Sequence, residues 1–190
     1  MSDDTSTARL DAACALHGYV IGLAGWSGSG KTTLAEKLIA ALTARGLDVA
    51  TIKHAHHAFD ADTPGKDSYR HRAAGARQVI VSSHARSVVF TENHDRGEAS
   101  LDALLGALAP ADIVLVEGYK REPIPKIEIH RPETGKPHLF PDDRLILALA
   151  TKGAVPPDGT HPPILDLDDI EAVAAYVCGL AGRTDVAAAS

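Results

Sequence analysis

The stretch "YVIGLAGWSGSGKTTLAEKLIAAL", residues 19–42, decides the fold of this chain. Its first six residues, 19–24, are apolar and predict a buried strand. Residues 25–33 form a glycine-rich segment that matches the pattern G-x-x-x-x-G-K-[ST]. The apolar residues that follow recur at helical spacing: Leu34, Leu38, Ile39 and Leu42. A strand, a glycine loop and a helix in this order predict a loop that binds phosphate.

In such a loop the glycines let successive backbone N–H groups curl around an anion, and the next helix adds the positive end of its dipole. We expect Lys31 to bridge the β- and γ-phosphates, and the Thr32 hydroxyl to bind Mg²⁺. Thr33 is placed to reach the α-phosphate. The predicted nucleotide-binding residues are Gly25, Trp26, Ser27, Gly28, Ser29, Gly30, Lys31, Thr32 and Thr33.

A second apolar strand, "DIVLVEG" (112–118), ends in an acid about 85 residues downstream of the loop. Glu117 is the candidate to order a Mg²⁺-bound water or to orient an attacking one, so Lys31 and Glu117 are the predicted catalytic residues. Gly118, which follows Glu117, allows a close approach. The alternative is a solvated acid at a strand end, since acids are common there.

The segment "KHAHHAFDADTPGKDSYRHR" (53–72) has the least ordinary composition of the chain. It follows the second predicted strand, and we expect it to serve as a switch or substrate loop beside the phosphates. Asp60 is a further candidate Mg²⁺ ligand. A zinc site on the histidines and a plain solvated loop are the alternatives, although no cysteine completes a zinc set. The loop candidates are Lys53, His54, His56, His57, Asp62 and Asp67.

Apolar strands alternate with helical patterns along the rest of the chain. This alternation predicts a single three-layer α/β domain over residues 1–190, with a mainly parallel sheet covered on both faces. We expect residues 1–17 and 181–190 to be flexible tails. The segment "KIEIHR" (126–131) alternates apolar and polar residues, which predicts an edge strand.

Composition narrows the setting of the protein. A net charge of -6 argues against nucleic-acid or anionic-membrane binding as the main role. The two cysteines, Cys14 and Cys178, lie far apart in the sequence, which suits a reducing cytoplasm. The first residues do not resemble a signal peptide, and no apolar run approaches the length of a membrane span. We therefore expect a cytoplasmic protein.

A small-molecule kinase is an alternative function for this chain. The glycine loop alone would equally suit a small-molecule kinase that uses ATP, which needs an acceptor base and an arginine-rich lid. Candidate lid residues are Arg70, Arg72 and Arg77.

Lys120, Arg121 and Lys126 are candidates to contact an anionic ligand or partner, and a solvated basic face is an equal interpretation. An ATP-binding partner module without catalysis is a third interpretation.

Four segments together resemble the MobB family, the molybdopterin-guanine dinucleotide biosynthesis adapter proteins. They are "LAGWSGSGKTTL", "IKHAHHAFDADTPGKDSYRHRAAGA", "DIVLVEGYKREPIPKIEIHR" and "ILDLDDIEAVAAYV". The resemblance implies a dimeric GTP-binding protein with weak Mg²⁺-dependent GTPase activity. It implies as partners the guanylyltransferase that attaches GMP to molybdopterin, and molybdopterin itself. The implied fold is a P-loop NTPase sheet with an additional β-element, to which "KIEIHR" is assigned.

The chain departs from the family at one position. After the last buried strand the family often has "A-[ST]-D", whose aspartate is suited to guanine, whereas this chain has "LATKGA". Lys152 has only donors and cannot accept the hydrogens of guanine. No arginine finger is evident either, and such a residue is worth about 10³–10⁵ in rate, so we expect slow hydrolysis. Glu117 or an aspartate of 60–67 would position the water.

Overall fold

The computed structural model describes residues 2–55, 59–153 and 160–183. The chain forms two compact units. The core unit comprises residues 1–54 and 101–190, and the inserted unit comprises residues 55–100.

A six-stranded parallel sheet forms the centre of the core unit, and its strand order is β2-β5-β1-β6-β7-β8 when the strands are numbered along the whole chain. These six strands are β1 Tyr19–Ala24, β2 Val49–Lys53, β5 Ile113–Glu117, β6 Lys126–His130, β7 Ile146–Thr151 and β8 Ile164–Asp166. The predicted α/β fold with a mainly parallel sheet is confirmed. All carboxyl strand ends therefore lie along one edge of the sheet, where the predicted site residues of the core unit also lie.

Four helices cover the sheet: α1 Ser2–Cys14, α2 Lys31–Ala44, α4 Leu101–Ala107 and α5 Ile170–Leu180. Helices α2 and α5 pack on one face, where Leu38, Leu42 and Val177 are fully buried against β1, β5 and β6. Helices α1 and α4 pack on the other face, around Leu105 and Val114. Within the described residues, no helix combines the length and the apolar character needed to cross a membrane.

The expected amino-terminal tail is instead ordered, because α1 packs against α4. Leu10 and Ala13 are 5% and 8% exposed, and His17 is also buried. The ring of His17 donates through Nε2 to the Leu105 carbonyl (3.2 Å) and accepts at Nδ1 from the Ala111 N–H (3.3 Å). The apolar contacts of this helix with the core come from its last residues, the buried Leu10 and Ala13 and the partly buried Cys14. At the other end, Arg183 pairs with Asp112 (2.6 Å), and residues 184–190 lie outside the described residues.

The predicted edge strand "KIEIHR" is an interior strand, paired with β1 and β7. Ile127 and Ile129 join the α2–α5 core, so the alternate side chains Lys126, Glu128 and His130 point to the opposite face and are buried there. The irregular segment 131–145 covers that face. Its Asp143 pairs with Lys126, its Phe140 N–H donates to Glu128, and its Lys136 carbonyl lies 3.0 Å from His130 Nε2. The polar side chains of this strand therefore face a covering loop and not solvent.

The inserted unit contains α3 Asp67–Ala73 and an antiparallel pair, β3 Gln78–Ser82 and β4 Ser87–Thr91. The extra β-element of the chain is this hairpin, so its assignment to "KIEIHR" was wrong. Within this unit, Arg72 of α3 forms ion pairs with Asp60 (2.9 Å), Asp62 (3.1 Å) and Glu92 (2.5 Å).

Candidate functional site

The loop between β1 and α2 has a backbone that glycine alone adopts easily. Gly25 has φ +152°, and a Cβ there would lie 2.4 Å from the Ile129 carbonyl oxygen and 2.6 Å from Ser29 Oγ. Gly30 caps α2 in the left-handed region with φ +94°. This curl turns the chain back on itself before the helix begins, as a phosphate-binding loop requires.

Lys31 folds back over this loop. Its ammonium donates to the carbonyl oxygens of Gly25 and Trp26, both at 2.9 Å. Burial lowers its pKa, the charges of Lys120 and Lys53 lower it further, and Glu117 acts in the opposite direction. The Lys31 ammonium is thus partly desolvated and bound by neutral carbonyl oxygens. An anionic phosphate would be a stronger acceptor for it than these carbonyls.

A polar cluster of Thr32, Glu117 and Lys53 lies beside the loop. The Thr32 hydroxyl donates to Glu117 Oε1 (2.8 Å), and Lys53 Nζ lies 3.0 Å from Thr32 Oγ1 and 3.1 Å from each Glu117 carboxylate oxygen. The strand register explains the meeting, because Lys53 and Glu117 are partners on β2 and β5. A cation, the Lys53 ammonium, already sits among oxygens of the kind that Mg²⁺ prefers. The donor set of Thr32 and Glu117 therefore fits a magnesium ion.

On the other side of the loop, the segment after β6 holds it through two contacts that sequence reasoning missed. Trp26 Nε1 donates to the Pro137 carbonyl (2.8 Å), and Arg131 Nε donates to the Ser29 carbonyl (3.1 Å). Lys120 Nζ lies 4.1 Å from the centre of the Trp26 ring, a cation–π contact that gives Lys120 a place beside the loop. The sequence indicates only the Arg131 contact, because Arg131 is a basic residue directly after a strand that ends at the same sheet edge as the loop.

Glu128 anchors that segment. Its fully buried carboxylate accepts the N–H groups of Leu139 and Phe140, each at 2.9 Å, and its Oε1 lies 3.6 Å from His138 Nδ1. The rings of His138 and His130 lie 3.9 Å apart between their centroids. Burial, followed by the charge of His130, lowers the pKa of His138, and Glu128 acts in the opposite direction.

The remaining predicted loop residues divide between the two units. His54 follows β2, where its N–H donates to the Glu117 carbonyl (2.9 Å) and its ring meets Tyr119 edge-on. A Cβ on Gly118 would lie 2.8 Å from the His54 Cβ, so this glycine permits the close approach. His56 and His57 lie outside the described residues, and within the described ranges no group of three His, Cys, Asp or Glu could hold a metal.

The aspartates of the segment belong to the inserted unit. The hydrogen bond from Arg72 lowers the pKa of Asp60, and Asp62 accepts from Ser68 Oγ (2.9 Å) as well as from Arg72. Asp67 pairs loosely with Arg70 (3.7 Å). The metal role of Asp60 therefore stays a prediction, while its carboxylate is engaged by Arg72.

Lys152, the departure noted above, lies just past the carboxyl end of β7 and forms an ion pair with Asp168, just past β8. The Lys152 ammonium donates a hydrogen bond to the Asp168 carboxylate. This bond is the largest cause of the raised pKa of Lys152 and of the lowered pKa of Asp168. The Asp168 carboxylate therefore lies beside Lys152, although the two residues are distant in the sequence.

A parallel sheet with a glycine loop between its first strand and the next helix defines a protein of the P-loop NTPase fold. The family profile of molybdopterin guanine dinucleotide synthesis protein B, MobB, matches residues 20–152. The chain therefore belongs to the MobB family.

Related proteins of known description support this membership. A molybdopterin-guanine dinucleotide biosynthesis adapter protein of Escherichia coli is 43% identical over 161 residues, which cover 83% of this chain and 90% of that protein. Its counterpart from Haemophilus influenzae is 44% identical over 160 residues, covering 83% and 86%.

Solved structures agree with the fold. A crystal structure of molybdopterin-guanine biosynthesis protein B superposes with a TM-score of 0.66 at 25% identity, over 86% of this chain and 99% of that one. A MobB homologue from Bacillus stearothermophilus gives a TM-score of 0.62 at 26% identity, over 86% and 97%.

Proposed function

We propose that this protein is a GTP-binding adapter of molybdopterin guanine dinucleotide biosynthesis, with at most slow Mg²⁺-dependent GTPase activity. It would assist the guanylyltransferase that attaches GMP to molybdopterin. The observation that carries the proposal is the meeting of Lys31, Thr32 and Glu117 at one sheet edge, in a chain whose relatives are described as adapters of this biosynthesis.

The residues around the loop have separate parts in nucleotide binding. Lys31 would leave the Gly25 and Trp26 carbonyls for the β- and γ-phosphates, and the loop N–H groups would hold the remaining oxygens. Thr32, and Glu117 through water, would hold Mg²⁺, which supplies charge neutralisation of the phosphates. Lys53 would have to leave this cluster, because its ammonium lies within 3.1 Å of the same oxygens.

Slow hydrolysis follows from what the site offers. Glu117 is the described residue of the core unit best placed to orient water, but its carboxylate also serves Thr32 and Lys53. Arg131 is the arginine that touches the loop, and it donates to the Ser29 carbonyl. An arginine finger is worth about 10³–10⁵ in rate, so a protein whose arginine is engaged elsewhere turns over slowly by itself. The output we propose is partner binding.

We further propose that the protein works as a cytoplasmic homodimer. The hairpin of the inserted unit carries Ile80 and Val89 as directly opposed residues, and they are 70% and 59% exposed. An exposed apolar pair of this kind is typical of a surface that another chain covers. The kinase alternative is not favoured: Arg72, the candidate lid residue with the most contacts, is occupied by three carboxylates.

The experiment is a reconstituted reaction with purified guanylyltransferase, molybdopterin and Mg²⁺–GTP. Native protein is expected to raise the yield of molybdopterin guanine dinucleotide, and Lys31→Ala is expected to lose this effect. Lys37→Ala, an exposed lysine on the same helix, is the matched control. Equal yields with native protein, with Lys31→Ala and with no addition would contradict the proposal.

A further inference from the structure

We infer that Lys152 and Asp168 form the subsite that reads the purine base, and that Asp168 supplies the carboxylate for guanine. The inference rests on the proposed nucleotide binding and names the part of the core unit that gives it selectivity.

The direction in which a nucleotide must lie follows from the metal cluster. Thr32, Lys53 and Glu117 meet on the side of the loop where β5 and β2 end. Mg²⁺ accompanies the β- and γ-phosphates, so those phosphates belong on this side. The α-phosphate and the nucleoside must then extend the opposite way, over the ends of β6 and β7.

The strand ends on that side bring Lys152 and Asp168 within reach of the loop. Neighbouring strands lie about 4.8 Å apart, so β7 ends roughly 10 Å from β1, with β6 between them. In the register, His130 is opposite Thr151, and Thr151 is opposite Asp166. Lys152 is the residue after Thr151, and Asp168 comes two residues after Asp166.

Electrostatics connects the same two residues to the phosphate loop. The hydrogen bond from Lys152 is the largest cause of the lowered pKa of Asp168, and the charges of Lys37 and Arg131 add to it. Arg131 in turn holds the Ser29 carbonyl of the loop. Through Arg131, the charge of a group that contacts the phosphate loop acts on the Asp168 carboxylate.

The chemistry of this pair matches guanine. The Watson–Crick edge of guanine presents N1–H and a 2-amino group, and both need an acceptor. Adenine has an unprotonated N1 and no 2-amino group, so a carboxylate there selects against it. The side chain of Asp168 is 55% exposed, and its N–H is fixed by Asp166 Oδ1 (2.9 Å). The aliphatic stem of Lys152 can lie along the base while its ammonium keeps the carboxylate charged.

The arrangement also resolves the departure of this chain from the pattern "A-[ST]-D". Lysine itself cannot accept the hydrogens of guanine, but the residue it pairs with can. The carboxylate comes from the segment after β8 instead of the loop after β7, 16 positions further along the chain.

The test is to titrate the protein and its Asp168→Asn variant with the Mg²⁺ complexes of GTP, XTP and ATP, using calorimetry. Xanthine carries a carbonyl oxygen where guanine has the 2-amino group, so an asparagine amide can donate where the carboxylate accepted. Loss of a charged acceptor should lower the GTP affinity of Asp168→Asn about 10- to 100-fold. The XTP affinity should rise by a similar factor, and the ATP affinity should not fall, because adenine gains nothing from the carboxylate. Asp11→Asn, an exposed aspartate of α1, is the matched control and should change none of the three.

Two different failures can be told apart. If Asp168→Asn and native protein show the same order of GTP, XTP and ATP affinities, the base subsite is wrong while nucleotide binding stands. If native protein binds none of the three triphosphates, the proposed function and this inference are both overturned. Circular dichroism of Asp168→Asn confirms that any change in affinity is measured on folded protein.

Discussion

Replacing Glu128 by glutamine is expected to loosen the segment that holds the phosphate loop. The carboxylate of Glu128 is buried, and it accepts N–H groups from Leu139 and Phe140 at 2.9 Å. Glutamine has one oxygen for these two donors, and its NH₂ group faces the other donor. One backbone N–H is therefore left buried without an acceptor.

The size of the effect follows from two opposing contributions. An unsatisfied buried donor costs about 1–3 kcal/mol, and exchanging a charged acceptor for a neutral one weakens the remaining bond by about 1 kcal/mol. Against this, a neutral amide is easier to bury than a carboxylate, which returns part of the loss. We expect the free energy of unfolding to fall by about 2 kcal/mol, toward the lower end of the summed range.

Urea unfolding followed by circular dichroism measures this change, and Trp26 adds a local readout. Trp26 is the single tryptophan of the chain, and its indole N–H donates to the carbonyl of Pro137, two residues before the anchored Leu139. Its emission should shift in native buffer when the anchor is weakened. The exposed Glu133 in the same segment gives the control Glu133→Gln. Native stability and native emission in Glu128→Gln would show that Glu128 does not anchor this segment.

Three further perturbations have signs that the structure fixes. Lys53→Met should raise the Mg²⁺ affinity of nucleotide-free protein by up to about fivefold, as measured by calorimetric Mg²⁺ titration. The reason is that it removes a competing cation, whose exposed ion pair with Glu117 is worth about 0.2–1 kcal/mol. Gly25→Ala should abolish triphosphate binding and cost about 1–3 kcal/mol in backbone strain, before the clash with the Ile129 carbonyl is added, as measured by urea unfolding. The lowered pKa of His138 means that the unfolded chain binds the proton more readily, so stability should fall as pH drops below about 6.5, and His138→Gln should flatten this slope.

Each of these variants has a matched control in the chain. Lys66→Met removes an exposed lysine of the inserted unit and should leave Mg²⁺ affinity unchanged. Gly106→Ala, within α4 and with open space around its Cβ, should stabilise by about 0.5–1 kcal/mol. His84→Gln changes an exposed histidine and should keep the native pH slope. An unchanged Mg²⁺ affinity in Lys53→Met, triphosphate binding by Gly25→Ala, or a native slope in His138→Gln would contradict the respective assignment.

Local patterns predicted the parts of the fold that depend on neighbours in sequence. The apolar run of β1, the glycine loop and the periodic leucines of α2 are contiguous, so their physics can be read from one stretch. The place of Glu117 at the end of a buried strand was predicted in the same way.

The parts that failed depend on what covers a residue. Lys126, Glu128 and His130 alternate as surface residues do, yet segment 131–145 buries them and accepts or donates their hydrogen bonds. Helix α1 meets the core through Leu10, Ala13 and Cys14 near its end, which is too short a pattern to predict its packing. In both cases the decisive partner is distant in the sequence.

Pairings across the sheet edge were equally hidden from the sequence. Lys53 could be placed in a loop, but its contact with Glu117 needs the register of β2 against β5. The ion pair of Lys152 with Asp168 joins segments on different strands, and the sequence gives no spacing rule for it. Residues at one edge of a parallel sheet meet through topology, which the local pattern does not encode.

The most direct test of the account is a calorimetric titration of native protein and of Lys31→Ala with Mg²⁺–GTP and Mg²⁺–ATP. We expect native protein to bind GTP more tightly than ATP, and Lys31→Ala to bind neither while keeping its native circular dichroism. GTP binding of equal strength by native protein and by Lys31→Ala would contradict it.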